Sequence, residues 1–146
     1  MKERNSVKFE FLSRSANEGF ARAAVAVFIA QLDPTLEELG DVKTAVSEAV
    51  TNCVVHAYPE TLGKIAVRVR LFDDNSAEIT VRDWGVGIAD VEEARAPMYT
   101  TGGDDRSGMG FTIMESFMDK LRVKSTAGRG TTVTMRRRIS VRAGVR

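Results

Sequence analysis

Cysteine, histidine, proline and charge imbalance are all scarce in this sequence, and each scarcity closes off a class of protein. One cysteine, Cys53, in 146 residues excludes an intramolecular disulfide framework and suits a reducing compartment. One histidine, His56, without a nearby set of thiols excludes a zinc site of the usual composition. With 21 Lys+Arg against 20 Asp+Glu, the formal charge is +1, so the overall balance gives no argument for a nucleic-acid partner. No apolar run approaches the length of a membrane span and no charged-then-apolar leader opens the sequence. The expected location is cytoplasmic, with no membrane partner. Repeats and low-complexity segments are missing as well.

What is present is an apolar fraction of 43% with 12 glycines and 3 prolines, a composition suited to one ordered domain over 1–146 that buries its own core. The basic concentration "RRRISVRAGVR" closes the sequence. It reads as a flexible solvated tail, from 139 to 146, with phosphate or acidic-partner binding as the other reading.

Val7, Phe9 and Phe11 alternate with Lys8 and Glu10, the pattern of a strand with one buried face. Ser15 with Glu18, and Thr35 with Glu38, are capping-box signatures ahead of two helices, the second running roughly over 36–57. Ile65–Leu71 and Ala77–Val81 alternate across the turn "DDNS", a hairpin. An irregular glycine-rich stretch follows, then a helix in "FTIMESFMDKL" and strands in "LRVKST" and "TTVTMRRR". Hairpins imply antiparallel pairing. The expected fold is a two-layer α/β sandwich, a mixed, mostly antiparallel sheet with helices over one face.

Four constellations carry candidate chemistry. Glu48, Asn52 and His56 recur every fourth residue, so they line one helix face, either an ordinary polar face or the floor of a cleft. Asn52 offers the hard oxygen that Mg²⁺ prefers, and Glu48 can accept a proton from an attacking hydroxyl. Asp83 precedes Gly85 and Gly87 in "RDWGVGI", either a capped turn or a carboxylate able to accept from an exocyclic amine. Gly108, Met109 and Gly110 open a helix, where the pair reads as a simple turn or as bare backbone for an anion. Thr131 in "GRGTT" starts a strand with its hydroxyl available to a base or a bridging water. Cys53 reads as a small core residue and His56 as a packing or hydrogen-bonding one.

Together "EAVTN", "DWGVGI", "RSGMGF" and "GRGTT" resemble the asparagine box and the three glycine boxes of the GHKL (Bergerat) ATP-binding fold, found in histidine kinases, gyrase and the anti-sigma serine kinases. The long runs "NEGFARAAVAVFIAQLDPTLEELGDVKTAVSEAVTN" and "RSGMGFTIMESFMD" are similar to the anti-sigma F group of endospore formers, and the resemblance covers about residues 6–138. It implies an ATP- and Mg²⁺-dependent protein-serine kinase. Such a protein is a homodimer that holds a sporulation sigma factor and phosphorylates an anti-anti-sigma antagonist. Glu48 would be the catalytic base and Asn52 the Mg²⁺ ligand. Asp83 would read the adenine amino group, Gly85 and Gly87 would make room for the base, and Thr131 would complete that pocket. Gly108 and Gly110 would bare the backbone beside the phosphates, with Met109 between them. The loop 96–107, carrying Thr101, would close over ATP, and Arg106 at its end would meet the protein substrate.

Three positions depart from the family pattern. The lid reads "TTGGDDRSG" without the usual lysine, Trp84 replaces a small or acidic residue, and Ala57 replaces a common glycine. The bare residues leave three readings of Arg106: a pair with Asp104 and Asp105, a phosphate contact, or a partner contact. The alternative function is an ATP-dependent sigma-binding module without kinase activity. A histidine kinase is disfavoured by the lack of a separate phosphoacceptor helix pair, and DNA binding by the lack of a reading helix pair.

Overall fold

Alternation decides the sheet. The computed structural model describes residues 1–96 and 109–141. In β2 (Lys64–Phe72), Ile65, Val67, Val69 and Leu71 are fully buried, whereas Lys64 and Arg68 are exposed. β3 (Ser76–Asp83) buries Ala77, Ile79 and Val81 in the same manner. β1 (Glu3–Leu12), β4 (Lys120–Thr126) and β5 (Gly130–Arg138) complete a sheet of order β1-β2-β3-β5-β4. All neighbouring pairs among the described residues are antiparallel, in keeping with the mostly antiparallel sheet expected. The register threads one apolar row, Val7–Val69–Ile79–Met135–Leu121, across five strands. Val69, Ile79 and Met135 in that row are fully buried, and a side chain of this size so placed contributes about 1.5–3 kcal/mol.

The helices cover this apolar face. α1 (Ala16–Ile29) buries Ala21, Val25 and Ile29, and α2 (Leu36–Asn52) buries Val42, Ala45, Val46, Ala49 and Val50. The two capping signatures have different fates. Thr35 and Glu38 form the full box, with Glu38 N donating to Thr35 Oγ1 at 3.1 Å and Thr35 N to Glu38 Oε1 at 2.9 Å. Ser15 is itself helical (φ −58°, ψ −32°) and makes no side-chain cap. Glu18 instead accepts from Ser47 Oγ of α2 at 2.6 Å and pairs with Arg22 of its own helix at 3.3 Å.

α2 ends at Asn52 and runs into a π turn over Cys53–Ala57. This wider i→i+5 turn takes His56 off the regular four-residue line that joins Glu48 to Asn52. The short α3 (Val91–Arg95) is capped by Asp90, and α4 (Gly110–Phe117) packs Phe111 and Met114 into the core beside α2.

The first residues of the expected tail pack against the fold. Ile139 is fully buried, its N–H donates to Asn75 O at 2.9 Å, and Asn75 Nδ2 donates back to Ile139 O at 3.0 Å. Ser140 N and Oγ donate to Glu38 at 2.8 and 3.1 Å. Residues 139 and 140 therefore belong to the fold because an apolar side chain and two backbone donors find partners there. No described helix is long and apolar enough to cross a membrane.

Candidate functional site

The site grows from the edge of α2 that the sheet leaves uncovered. Val46, Ala49 and Val50 face the core, so Glu48 and Asn52 are left half-buried, one turn apart. α4 starts directly against them. A side-chain carbon placed on Gly110 would lie 3.3 Å from both amide atoms of Asn52 and 3.4 Å from Glu48 Oε1. Glycine here lets a helix N-terminus come within contact distance of a carboxylate and an amide. The first main-chain bond of α4 runs from Ile113 N to Met109 O at 2.8 Å, and Met109 provides no side-chain cap. Among the described residues the N–H groups preceding Ile113 have no intrahelical partner, a disposition that favours an anion.

The other end of the site is a buried carboxylate. Asp83 is only 5% exposed at the end of β3, and register sets it opposite Thr131 of β5. Gly85 N and Thr131 N donate to its Oδ1 at 3.0 and 3.2 Å, while Cys53 Sγ donates to Oδ2 at 3.4 Å. Among the described residues Oδ2 thus receives only a weak thiol donor and keeps acceptor capacity. Glu48 and Cys53 are separated by about 7.5 Å along the helix axis, so one short stretch of α2 joins the two ends.

The turn after Asp83 is fixed by backbone. A side-chain carbon on Gly85 would fall 2.2 Å from Ala57 O, the carbonyl that accepts from Val86 N at 3.0 Å. Gly87 has φ +76°, and its missing side chain leaves space filled by Thr126 O. The room both glycines provide is thus taken, at these Cβ directions, by the protein's own carbonyls. Tyr58 OH accepts from Trp84 N and donates to Lys64 O, each at 2.7 Å. Ser125 Oγ accepts from Ile88 N and lies 2.7 Å from Thr131 Oγ1.

A family model described as a histidine kinase-like ATPase domain matches residues 11–137. An anti-sigma F factor of Pasteuria penetrans is 56% identical over 145 residues, covering 98% of this chain and 97% of that protein. The anti-sigma F factor of Caldanaerobacter subterraneus subsp. tengcongensis is 54% identical over 136 residues, covering 92% of this chain and 94% of that one. The chain belongs to the anti-sigma F factor family. At the level of fold alone, the crystal structure of the RsbU and RsbW domains of a Mycobacterium tuberculosis protein superposes with a TM-score of 0.67 at 21% identity, over 93% of this chain and 32% of that one.

In this family member Glu48, Asn52, Asp83, Gly85, Gly87, Met109, Gly110 and Thr131 all lie among the described residues, arranged around α2 and α4 as above. Thr101, Arg106, Gly108 and the lid from residue 97 lie outside them. Burial pushes the Asp83 carboxyl above the ordinary aspartate range, against the pull of its Gly85, Cys53 and Thr131 donors. Burial, followed by the Asp83 charge, pushes the Cys53 thiol far up, so it acts as a neutral donor within the core and not as a nucleophile.

Sequence reasoning passed over Cys53 as an Asp83 partner, and also Tyr58 and Ser125. One signal for Ser125 was available. It faces inward opposite Thr131 in a hairpin whose other inward positions are apolar, so two hydroxyls sit together on a core-facing surface.

Proposed function

We propose that this anti-sigma factor is an ATP- and Mg²⁺-dependent protein-serine kinase. On this reading it holds a sporulation sigma factor and phosphorylates a serine of its anti-anti-sigma antagonist, as a homodimer in the cytoplasm. The observation that carries the reading is the bare α4 N-terminus at Gly110 seated against Glu48 and Asn52. A helix N-terminus for phosphates, a carboxylate for the hydroxyl proton and an amide oxygen for a cation are the parts that phosphoryl transfer requires.

Among the described residues no group of three His, Cys, Asp or Glu converges to hold a metal unaided. Asn52 Oδ1 with phosphate oxygens and water fits Mg²⁺, which is bound through few protein ligands and, when present, offsets phosphate charge. In the transfer, the serine oxygen bonds to the γ-phosphorus, the bond to the ADP oxygen breaks, and Glu48 takes the serine proton. The α4 amides orient the phosphates, and Asp83 Oδ2 accepts from the adenine amino group. Arg106 is assigned the contact with the anti-anti-sigma substrate, where a guanidinium fork suits a partner carboxylate.

The homodimer reading is supported by an aromatic cluster on the edge strand. Phe9, Phe11 and Phe20 have ring centroids 5.6–6.2 Å apart, and Phe20 is 54% and Val27 75% exposed on α1 beside them. The decisive experiment incubates the protein with γ-labelled ATP, Mg²⁺ and the anti-anti-sigma protein. Label is expected on a partner serine. An unlabelled partner alongside intact sigma binding would establish the binding-module alternative.

A further inference from the structure

A formal charge of +1 conceals a sharply uneven distribution. The sheet face turned away from the helices carries two adjacent rows across all five strands. Register gives one row as Lys8–Arg68–Thr80–Thr134–Arg122 and the next as Glu10–Ala66–Arg82–Thr132–Lys124. Lys8, Arg68, Arg82, Arg122 and Lys124 are all exposed, and Glu10 is the one acid among the ten positions. Glu10 is engaged by Lys8 at 3.9 Å and Lys64 at 3.8 Å. Arg68, Arg82, Arg122 and Lys124 have no ion pair among the described residues.

A solvated face ordinarily mixes its signs, and the same surface does so one row further along. There Arg70 pairs with Glu3 and Glu78, and Arg136 with Asp74 and Glu78. The adjoining two rows have one such acid, Glu10, for five basic side chains. Lys8 and Arg68 are direct cross-strand partners of like charge, with Glu10 at 3.9 Å from Lys8 as the one acid beside them. The acids that balance the chain lie elsewhere, as with Glu37, Glu38 and Asp41 on α2.

We infer that this sheet face is a binding surface for the phosphate backbone of nucleic acid. Its composition separates that occupant from a folded protein partner. Protein interfaces centre on apolar and aromatic anchors with charge depleted, whereas protein–DNA interfaces are polar and strongly positive. The two rows themselves hold no large apolar side chain, the exposed Trp84 bordering them beneath Arg82 and Lys64. Thr80, Thr132 and Thr134 add neutral hydroxyls between the guanidinium and ammonium groups, which suits phosphate oxygens. Five strands at a spacing of about 4.8 Å span roughly 19 Å, along which a duplex presents on the order of ten phosphate charges. Recognition is of the backbone, without sequence preference.

The experiment follows fluorescence anisotropy of a labelled duplex of arbitrary sequence as full-length protein is added at several salt concentrations. The wild-type protein is expected to bind at low salt, with log K falling linearly against log salt. Arg68→Ser with Arg122→Ser should lower affinity about tenfold at low salt and reduce the slope by about 2, roughly one per lost phosphate contact. Both residues lie outside the nucleotide site, so ATP affinity and melting temperature should match wild type. Arg142→Ser with Arg146→Ser, in the basic chain end, should bind as wild type does. The assignment is overturned by no binding at low salt, by loss in the chain-end variant with retention in the sheet variant, or by tighter capture on polyglutamate or on vesicles of anionic phospholipid.

Discussion

Asp83 is expensive to keep ionised where it stands, and that cost explains how it would select its ligand. Guanine presents a carbonyl where adenine presents an amine, so GTP would set two acceptors against each other at a penalty on the order of 1–3 kcal/mol. Calorimetric titration should therefore rank ATP and ADP well above GTP, and equal affinities would remove Asp83 from the adenine site. Asp83→Asn should weaken adenine binding while the unliganded protein melts no lower than wild type. The sign follows from its raised pKa. The folded state binds the proton more tightly than the unfolded chain, so this group's contribution falls as pH rises from the ordinary aspartate value through the raised one, and the asparagine variant lacks that fall. Glu48→Gln tests chemistry instead of binding. It should lower phosphate transfer at least ~100-fold with ATP affinity retained, whereas Asn52→Ala should lose Mg²⁺-dependent affinity together with activity. Unchanged transfer in Glu48→Gln, measured with labelled ATP, would remove it as the base. At this scale the candidates Glu48 and Asn52 were legible, because carboxylates and amides at helical spacing are visible in the letters, and that spacing sets them on the shared helix edge beside Gly110. The Cys53–Asp83 bond was not, since a strand end and a helix meet there only through the fold.

Among elements, α2 sets the geometry of everything else, and its two ends show what local patterns can and cannot foretell. Its N-terminal box follows from Thr35 and Glu38 alone, and the structure forms it. The equivalent letters at Ser15 and Glu18 do not form a box: Glu18 accepts from Ser47 across the helix pair, a partner outside any local window, and pairs with Arg22 one turn on in α1. The π turn at Cys53–Ala57 is equally tertiary in origin, since it presents Ala57 O to Val86 N. Strands were legible throughout, because two residues per repeat is a strong signal wherever one face is buried. Glu38 provides the test at this scale. Burial disfavours its charge, yet donors from Thr35 and Ser140 prevail and hold its pKa below the ordinary glutamate value. Its contribution is therefore present above that ordinary value and lost as pH falls through the lowered one. Glu38→Gln should cost about 1 kcal/mol at neutral pH, the usual scale of a lost cap, and should flatten the acid limb of a stability profile. An identical acid limb in the two proteins would show that the carboxylate is not what matters.

For the whole molecule, the proposed dimer depends on apolar groups that a lone copy leaves in water. Phe20→Ser with Val27→Ser should shift the sedimentation coefficient to that of a monomer without lowering ATP affinity, and an unchanged coefficient would move the interface elsewhere. Strand order has a different consequence, concerning the time at which the protein comes into being. β5 is the last of the described elements to emerge, yet it pairs with both β3 and β4 in the sheet interior, and the residues following it close the cap of α2. At roughly 5–20 residues per second, β3 waits several seconds on the ribosome with one edge unpaired. A nascent chain halted before residue 130 therefore has neither the partner of Asp83 at Thr131 nor a closed sheet. The capacity to capture a nucleotide is withheld until translation has delivered the last strand.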